Sequence, residues 1–182
     1  ANTAYDIALT IRSAQSFGLG SRASGSAANV GYGVHFQVGT TGSFIFFADT
    51  DPPVGSAGPF CHPIIGNDPT GPSATPGDCV YTSSSDYKVN EYMLGNGMFV
   101  SNLCAYAPWG LWWCSTTNFK IIRQLDIVFA RPNADATFKV NGFVPFSFTK
   151  ACLAVTSSRG GQSRYVSIAP SGEITANAPS CP

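Results

Sequence analysis

Apolar side chains at Ala4, Ile7, Ala8, Ile11 and Ala14 recur at helical spacing, while Thr3, Asp6, Thr10, Ser13 and Gln15 fill the other side. The pattern predicts one amphipathic helix within residues 1–20, ended by Gly18 and Gly20, because glycine weakens a helix interior and suits the left-handed cap. Its apolar stripe is narrow and rich in small residues, which fits close packing on a sheet. Beyond residue 30 the period shifts from 3.6 to 2. Residues 32–36 and 43–47 flank a Gly-Thr-Thr-Gly turn and read as a hairpin. Further short strands are predicted at 87–94, 98–103, 111–114, 125–129, 136–140, 152–156, 165–169 and 173–176. Residues 49–79 are proline-rich and aperiodic, the mark of a long loop. No repeat and no internal boundary appears, so the expectation is a single α+β domain over residues 1–182: one N-terminal helix packed on antiparallel β-sheet, with a β-rich part from 30 to 182.

Composition sharpens this. Of 182 residues only 11% are charged while 44% are hydrophobic, so the solvent face is built from Ser, Thr, Asn, Gly and Pro. Nineteen Gly and thirteen Pro exclude long helices after the first. The six Cys, at 61, 79, 104, 114, 152 and 181, form no C-x-x-C pair of the kind a zinc or thioredoxin-like site needs. Disulfides are the better reading. Six thiols allow fifteen connectivities, among which proximity favours Cys61 with Cys79, Cys104 with Cys114, and Cys152 with Cys181. Such bonds persist in an oxidising compartment, which points to an exported protein.

Candidate chemistry is sparse. The only histidines are His35 and His62, and neither sits in a nucleophile-elbow, zincin or P-loop context, so no catalytic residue and no enzyme activity is assigned. His35 alternates with Val34 and Phe36 and is expected on the exposed side of its strand. Asp49, Asp51, Asp68 and Asp78 offer oxygen ligands to calcium, but their spacing matches no calcium loop and Asp beside Pro and Gly is ordinary turn chemistry. No metal or cofactor is assigned. Trp109, Trp112 and Trp113 lie between Cys104 and Cys114, either as core beside a disulfide or as a docking patch for a glycan or protein, with alternation placing Trp113 inward and Trp112 outward. Net charge is zero, yet residues 1–119 carry −4 and residues 120–182 carry +4. Lys150, Arg159 and Arg164 are the candidate phosphate contacts should the basic half bind DNA. A neighbouring subunit's acidic surface explains the split equally well.

Several segments, in order, resemble the head domains of type IV pilin-like proteins, the minor pilins and type II secretion pseudopilins of the FimT and GspH kind. Residues 7–16 resemble the exposed half of that family's first helix. Tyr32-Gly33-Val34-His35-Phe36 with Phe46-Phe47-Ala48-Asp49 is similar to its first hairpin, and residues 94–101 to a later strand. The segment Ile127-Val128-Phe129-Ala130-Arg131-Pro132-Asn133-Ala134-Asp135-Ala136 is the most specific match, and residues 164–174 resemble the closing hairpin. The resemblance implies a structural subunit of a pilus or secretion filament, exposed on the cell surface or periplasmic face. Its partners would be other pilin or pseudopilin subunits. It also implies a methylated, inner-membrane precursor anchored through an apolar N-terminal helix that does not occur within this chain. The alternatives are a DNA-binding pilin head acting in uptake and a secreted binding module.

Overall fold

A computed structural model describes residues 3–20, 29–40, 42–61, 75–118, 121–131, 135–143 and 146–181. One helix, α1 (Thr3–Leu19), precedes ten strands: β1 (Gly31–Gln37), β2 (Ser43–Asp49), β3 (Tyr87–Met93), β4 (Met98–Tyr106), β5 (Trp112–Cys114), β6 (Gln124–Phe129), β7 (Ala136–Val140), β8 (Lys150–Ser157), β9 (Arg164–Ile168) and β10 (Ile174–Ala178). They form two antiparallel five-stranded sheets, ordered β3-β2-β1-β6-β7 and β10-β9-β8-β4-β5. The strands fall where alternation places them, but the architecture corrects the expectation of an α+β, pilin-like fold built as one N-terminal helix on antiparallel sheet. Among the described residues the structure is mostly β, with one 17-residue helix set against two sheets.

The division into two sheets has a local cause. Between β3 and β4, Gly95, Asn96 and Gly97 all take positive φ (63°, 48° and 68°), and Met98 N–H donates to the Gly95 carbonyl at 2.8 Å. Two glycines make that run of left-handed backbone accessible, and it turns the chain out of the first sheet. β4 then pairs with β8, from Met98↔Ser157 to Tyr106↔Lys150, and founds the second sheet. Alternation does the rest. Val34, Phe36, Phe46, Leu125, Ile127 and Phe138 from the first sheet share one buried core with Val100, Leu103, Leu153, Val155, Val166 and Ile168 from the second.

α1 closes one side of this sandwich. Ala4, Ile7, Ala8, Ile11 and Ala14 are fully or almost fully buried, and the helix contacts β1 and β6 of one sheet and β9 and β10 of the other. Arg12 Nη2 donates to the Ile174 carbonyl at 2.9 Å and Gln15 Nε2 to the Gly172 carbonyl at 3.0 Å, so the helix engages the start of the edge strand β10 and the turn before it. At Gly18 the helix lies so near β6 that any Cβ would overlap the Phe129 carbonyl. Disulfides join Cys61 to Cys79, Cys104 to Cys114 and Cys152 to Cys181. The last two lie on the outer face of the second sheet, where Cys104, Cys114 and Cys152 stand in cross-strand register. Three such bonds belong to an oxidising compartment. Among the described residues no helix is long and apolar enough to cross a membrane.

Candidate functional site

On the outer face of the first sheet the rule of polar-outward alternation fails. His35 is 6% exposed and Asp126 and Asp49 are 0% exposed, because the segment after β2 folds back over this face. Tyr81 and the Cys61–Cys79 bond pack there on Phe47 and Val128. His35 and Asp126 are cross-strand partners, and Nδ1 lies 2.7 Å from Oδ1. The same carboxylate oxygen accepts the Tyr81 backbone N–H at 3.1 Å, and the Tyr81 ring sits 5.1 Å from the imidazole. The expected exposed histidine is thus a buried one. Burial works against its charged form, but the hydrogen bond and charge of Asp126 outweigh that and raise its pKa. Burial likewise raises the Asp126 carboxyl, against the hydrogen bond and charge of His35.

Asp49 and Asp78, weighed above as calcium ligands and read as turn residues, serve the same covering segment, as does Asp86. Asp49 Oδ2 accepts the Cys79 N–H at 2.8 Å, and Asp78 Oδ1 accepts the Val80 N–H at 2.9 Å. Asp86 takes three backbone N–H groups, from Thr50, Asp51 and Thr82. Burial raises the Asp49 and Asp78 carboxyls above their ordinary range, and pushes Asp86 to about 6 against the pull of its three donors. Asp49 also stands beside Cys61 and Cys79, but both sulfurs are spent in their disulfide and offer no thiolate. His62 and Asp68 lie outside the described residues.

The three basic candidates are not brought together. Lys150 opens β8 on the outer face of its sheet, with Nζ 4.6 Å from the Tyr106 ring centroid and 5.3 Å from that of Trp112. Arg164 pairs with Val155, five residues along β8, which is roughly 17 Å away and of opposite facing. Arg159 occupies the exposed turn beyond it. No shared phosphate track follows from this arrangement.

Two surfaces remain. The outward row of α1, Tyr5, Leu9, Arg12, Ser16 and Leu19, alternates spacings of four and three residues, and Leu9 is 62% exposed. On the far side of the sandwich, rings collect where β5 and β7 end their sheets. A turn Ala107-Pro108-Trp109-Gly110, closed by Gly110 N–H on the Ala107 carbonyl at 3.0 Å, lifts Trp109 to the surface. Across from it an Asn141-Gly142 turn, both residues at positive φ, follows β7 and delivers Phe143. Trp109 lies 4.9 Å from Phe146 and 5.9 Å from Trp113, Trp113 5.3 Å from Phe148, and Phe143 4.6 Å from Phe146, mostly edge to face. These rings line a groove of about 360 Å³. Trp113 packs on the main core, whereas Trp112 lies with the disulfides on the outer face.

Of this cluster the sequence reading singles out the tryptophans and misses Phe143, Phe146 and Phe148. The signal was present: an Asn-Gly turn after Val140 followed at once by Phe143, then Phe146 and Phe148 two apart. Compared with known proteins, the chain matches no family model, no curated protein and no solved structure.

Proposed function

We propose that this chain is a structural subunit that works by assembly and not by catalysis, in the manner of a minor pilin or pseudopilin head in a type IV pilus or type II secretion-like filament. The observation that carries the reading is the two-sided helix. One face of α1 is consumed by its own domain, while the outer row Tyr5, Leu9, Arg12, Ser16 and Leu19 keeps coiled-coil spacing and exposed apolar groups for a neighbour's helix. The reading concerns assembly and not the fold. His35 is a structural histidine under Tyr81, engaged by Asp126, which supports a role without acid–base chemistry. The disulfides support an extracellular or periplasmic working place. In this reading an apolar helix anchoring the precursor in the inner membrane leads directly into α1, and the partners are other subunits of the same filament.

The test uses the full-length protein in its own cells. Replacing Leu9 by Glu is expected to abolish incorporation into a filament while the head remains folded, and Leu9→Cys is expected to give cross-links to neighbouring subunits. Normal assembly of Leu9→Glu, or a precursor with no apolar segment leading into α1, would overturn the proposal. DNA capture is the less favoured function, because Lys150 and Arg164 stand at opposite ends of β8.

A further inference from the structure

Of the three disulfides, Cys61–Cys79 alone has an acid beside it. A carboxylate oxygen of Asp49 and the two sulfurs lie within 4.8 Å of one another, and among the described residues neither Cys104–Cys114 nor Cys152–Cys181 has an acid or imidazole so placed. Backbone seals the carboxyl in. Asp49 has no exposure, its Oδ2 accepts the Cys79 N–H at 2.8 Å, and a Cβ on Gly77, at φ 103°, would overlap it. Oδ1 is buried and meets no hydrogen-bond partner among the described residues.

An ionised carboxylate accepts at both oxygens, and leaving one unmet away from water is costly. The neutral acid suits this position better, because its O–H has a weak acceptor close by in the disulfide sulfur. Burial keeps the proton on Asp49, and the like charges of Asp86, Asp78 and Asp126, which act on it from the packed segments, reinforce that. The two buried basic side chains act elsewhere: His35 is engaged by Asp126, and the charge of Lys139 acts on Asp78.

The backbone sets the same bond apart. Cys79 takes φ 64°, a left-handed conformation unfavourable for a residue with a Cβ, and none of the other five half-cystines does so. Cys79 is also fully buried, while Cys61 is only partly so. An incoming thiolate therefore meets Cys61, and Cys79 is the leaving group. A thiolate released into a buried site is an unsolvated charge and leaves slowly unless a proton reaches it as the bond breaks.

We propose that Cys61–Cys79 is a reversible redox bond, opened by a partner's dithiol attacking Cys61, with Asp49 as the internal proton donor to the departing Cys79 sulfur. The attacking thiolate forms a new S–S bond to Cys61 Sγ, the Cys61–Cys79 bond breaks with its electron pair going to Cys79 Sγ, and that sulfur takes the Asp49 proton. Rotation of the freed Cys79 side chain closes the remaining gap. The dithiol's second thiolate then attacks the mixed disulfide and releases Cys61, so the dithiol is oxidised by two electrons and the protein disulfide is reduced. In the reverse direction the Asp49 carboxylate takes the proton back from Cys79.

The experiment follows reduction of the folded, fully oxidised chain by tris(2-carboxyethyl)phosphine from about pH 5 to about pH 9, with freed thiols trapped by a maleimide and assigned by peptide mass spectrometry. The phosphine makes the same sulfur leave. Dividing the rate for Cys61–Cys79 by that for Cys152–Cys181 in the same molecule cancels the reductant's own ionisation. The ratio is expected to exceed one near pH 5 and to fall as pH rises and Asp49 ionises. Asp49→Asn, which keeps an acceptor for the Cys79 N–H but carries no acidic proton, is expected to lower the ratio about tenfold near pH 5, the effect of a leaving thiol whose pKa burial raises by roughly two units at a Brønsted slope of about 0.5. Near pH 9 the order inverts, because an ionised Asp49 repels the thiolate and the amide does not. A wild-type ratio that is flat with pH or below one near pH 5, or the same pH profile in Asp49→Asn, would refute the proposal. The wild-type ratio decides even where the variant does not fold.

Discussion

The sandwich is closed on its two sides in opposite ways. Beside α1 the contacts are made by alanines, two isoleucines and a glycine, pressed so close that backbone meets backbone at Gly18 and Phe129. Beside β5 and β7 the contacts are made by large rings that stop short of filling the space and stand half in solvent. Small residues give a seam whose stability depends on shape, since dense interiors register even a single methylene. Large rings set edge to face tolerate a gap, and the gap is where another molecule can be received. The first side is packed to its limit, and the second leaves a groove lined by half-exposed rings.

That contrast is broken or sharpened by graded substitutions. Ile11→Ala, at a position with no exposure, is expected to cost about 2–5 kcal/mol in a urea titration, because it leaves a cavity where both sheets meet the helix. Gly18→Ala comes next: overpacking against the Phe129 carbonyl costs about 1–3 kcal/mol, of which the better helix propensity of alanine returns up to about 1 kcal/mol. Should Gly18→Ala prove stabilising, the helix is not seated as described. Trp109→Ala is expected to lower stability by about 1 kcal/mol or less, since only edge-to-face contacts of a half-exposed ring are lost. A loss comparable to that of Ile11→Ala would make the aromatic side part of the fold's foundation and erase the distinction.

The covered outer face of the first sheet supplies a third term, read by pH. Asp49, Asp78 and Asp86 have raised pKa values through burial, and Asp126 raises that of His35 against burial. Each of these groups keeps its proton in the folded chain at a pH where the unfolded chain has released it. Their stabilising effect is complete below the unfolded values, and it is lost for Asp86 as pH rises from 3.8 through about 6, and for His35 above 6.5. The melting temperature is accordingly expected to be higher near pH 5 than near pH 7.5. A flat or reversed profile would mean that the segment after β2 does not seal this face.

Much of the strand pattern was legible, because alternation and the Gly and Pro punctuation act locally. Cysteine pairing was legible for the same reason: two of the loops close over 10 and 18 residues. What escaped depends on the second side of each strand. Val34 and Phe36 announce a buried face, but nothing near His35 says that the opposite face is buried too, since the cover arrives from Cys79 and Tyr81 some forty-five residues later. The split into two sheets escaped similarly, because a Gly-Asn-Gly bend looks the same whether the chain returns to its own sheet or leaves it. Trp113 was visible as a ring but not as an unmet donor, which only the packed neighbours reveal.

The bond between Cys152 and Cys181 has a mechanical meaning. It ties Cys181 to β8, a strand in the interior of its sheet, with 28 residues enclosed between the two cysteines. Tension applied beyond Cys181 therefore passes straight to β8 and bypasses β9 and β10, which cannot be peeled away one after the other. About 100 Å of extensible chain stays locked as long as the sulfurs remain joined. With the bond reduced, the same pull would load β10 and β9 first, and only their strand pairing and core contacts would resist it.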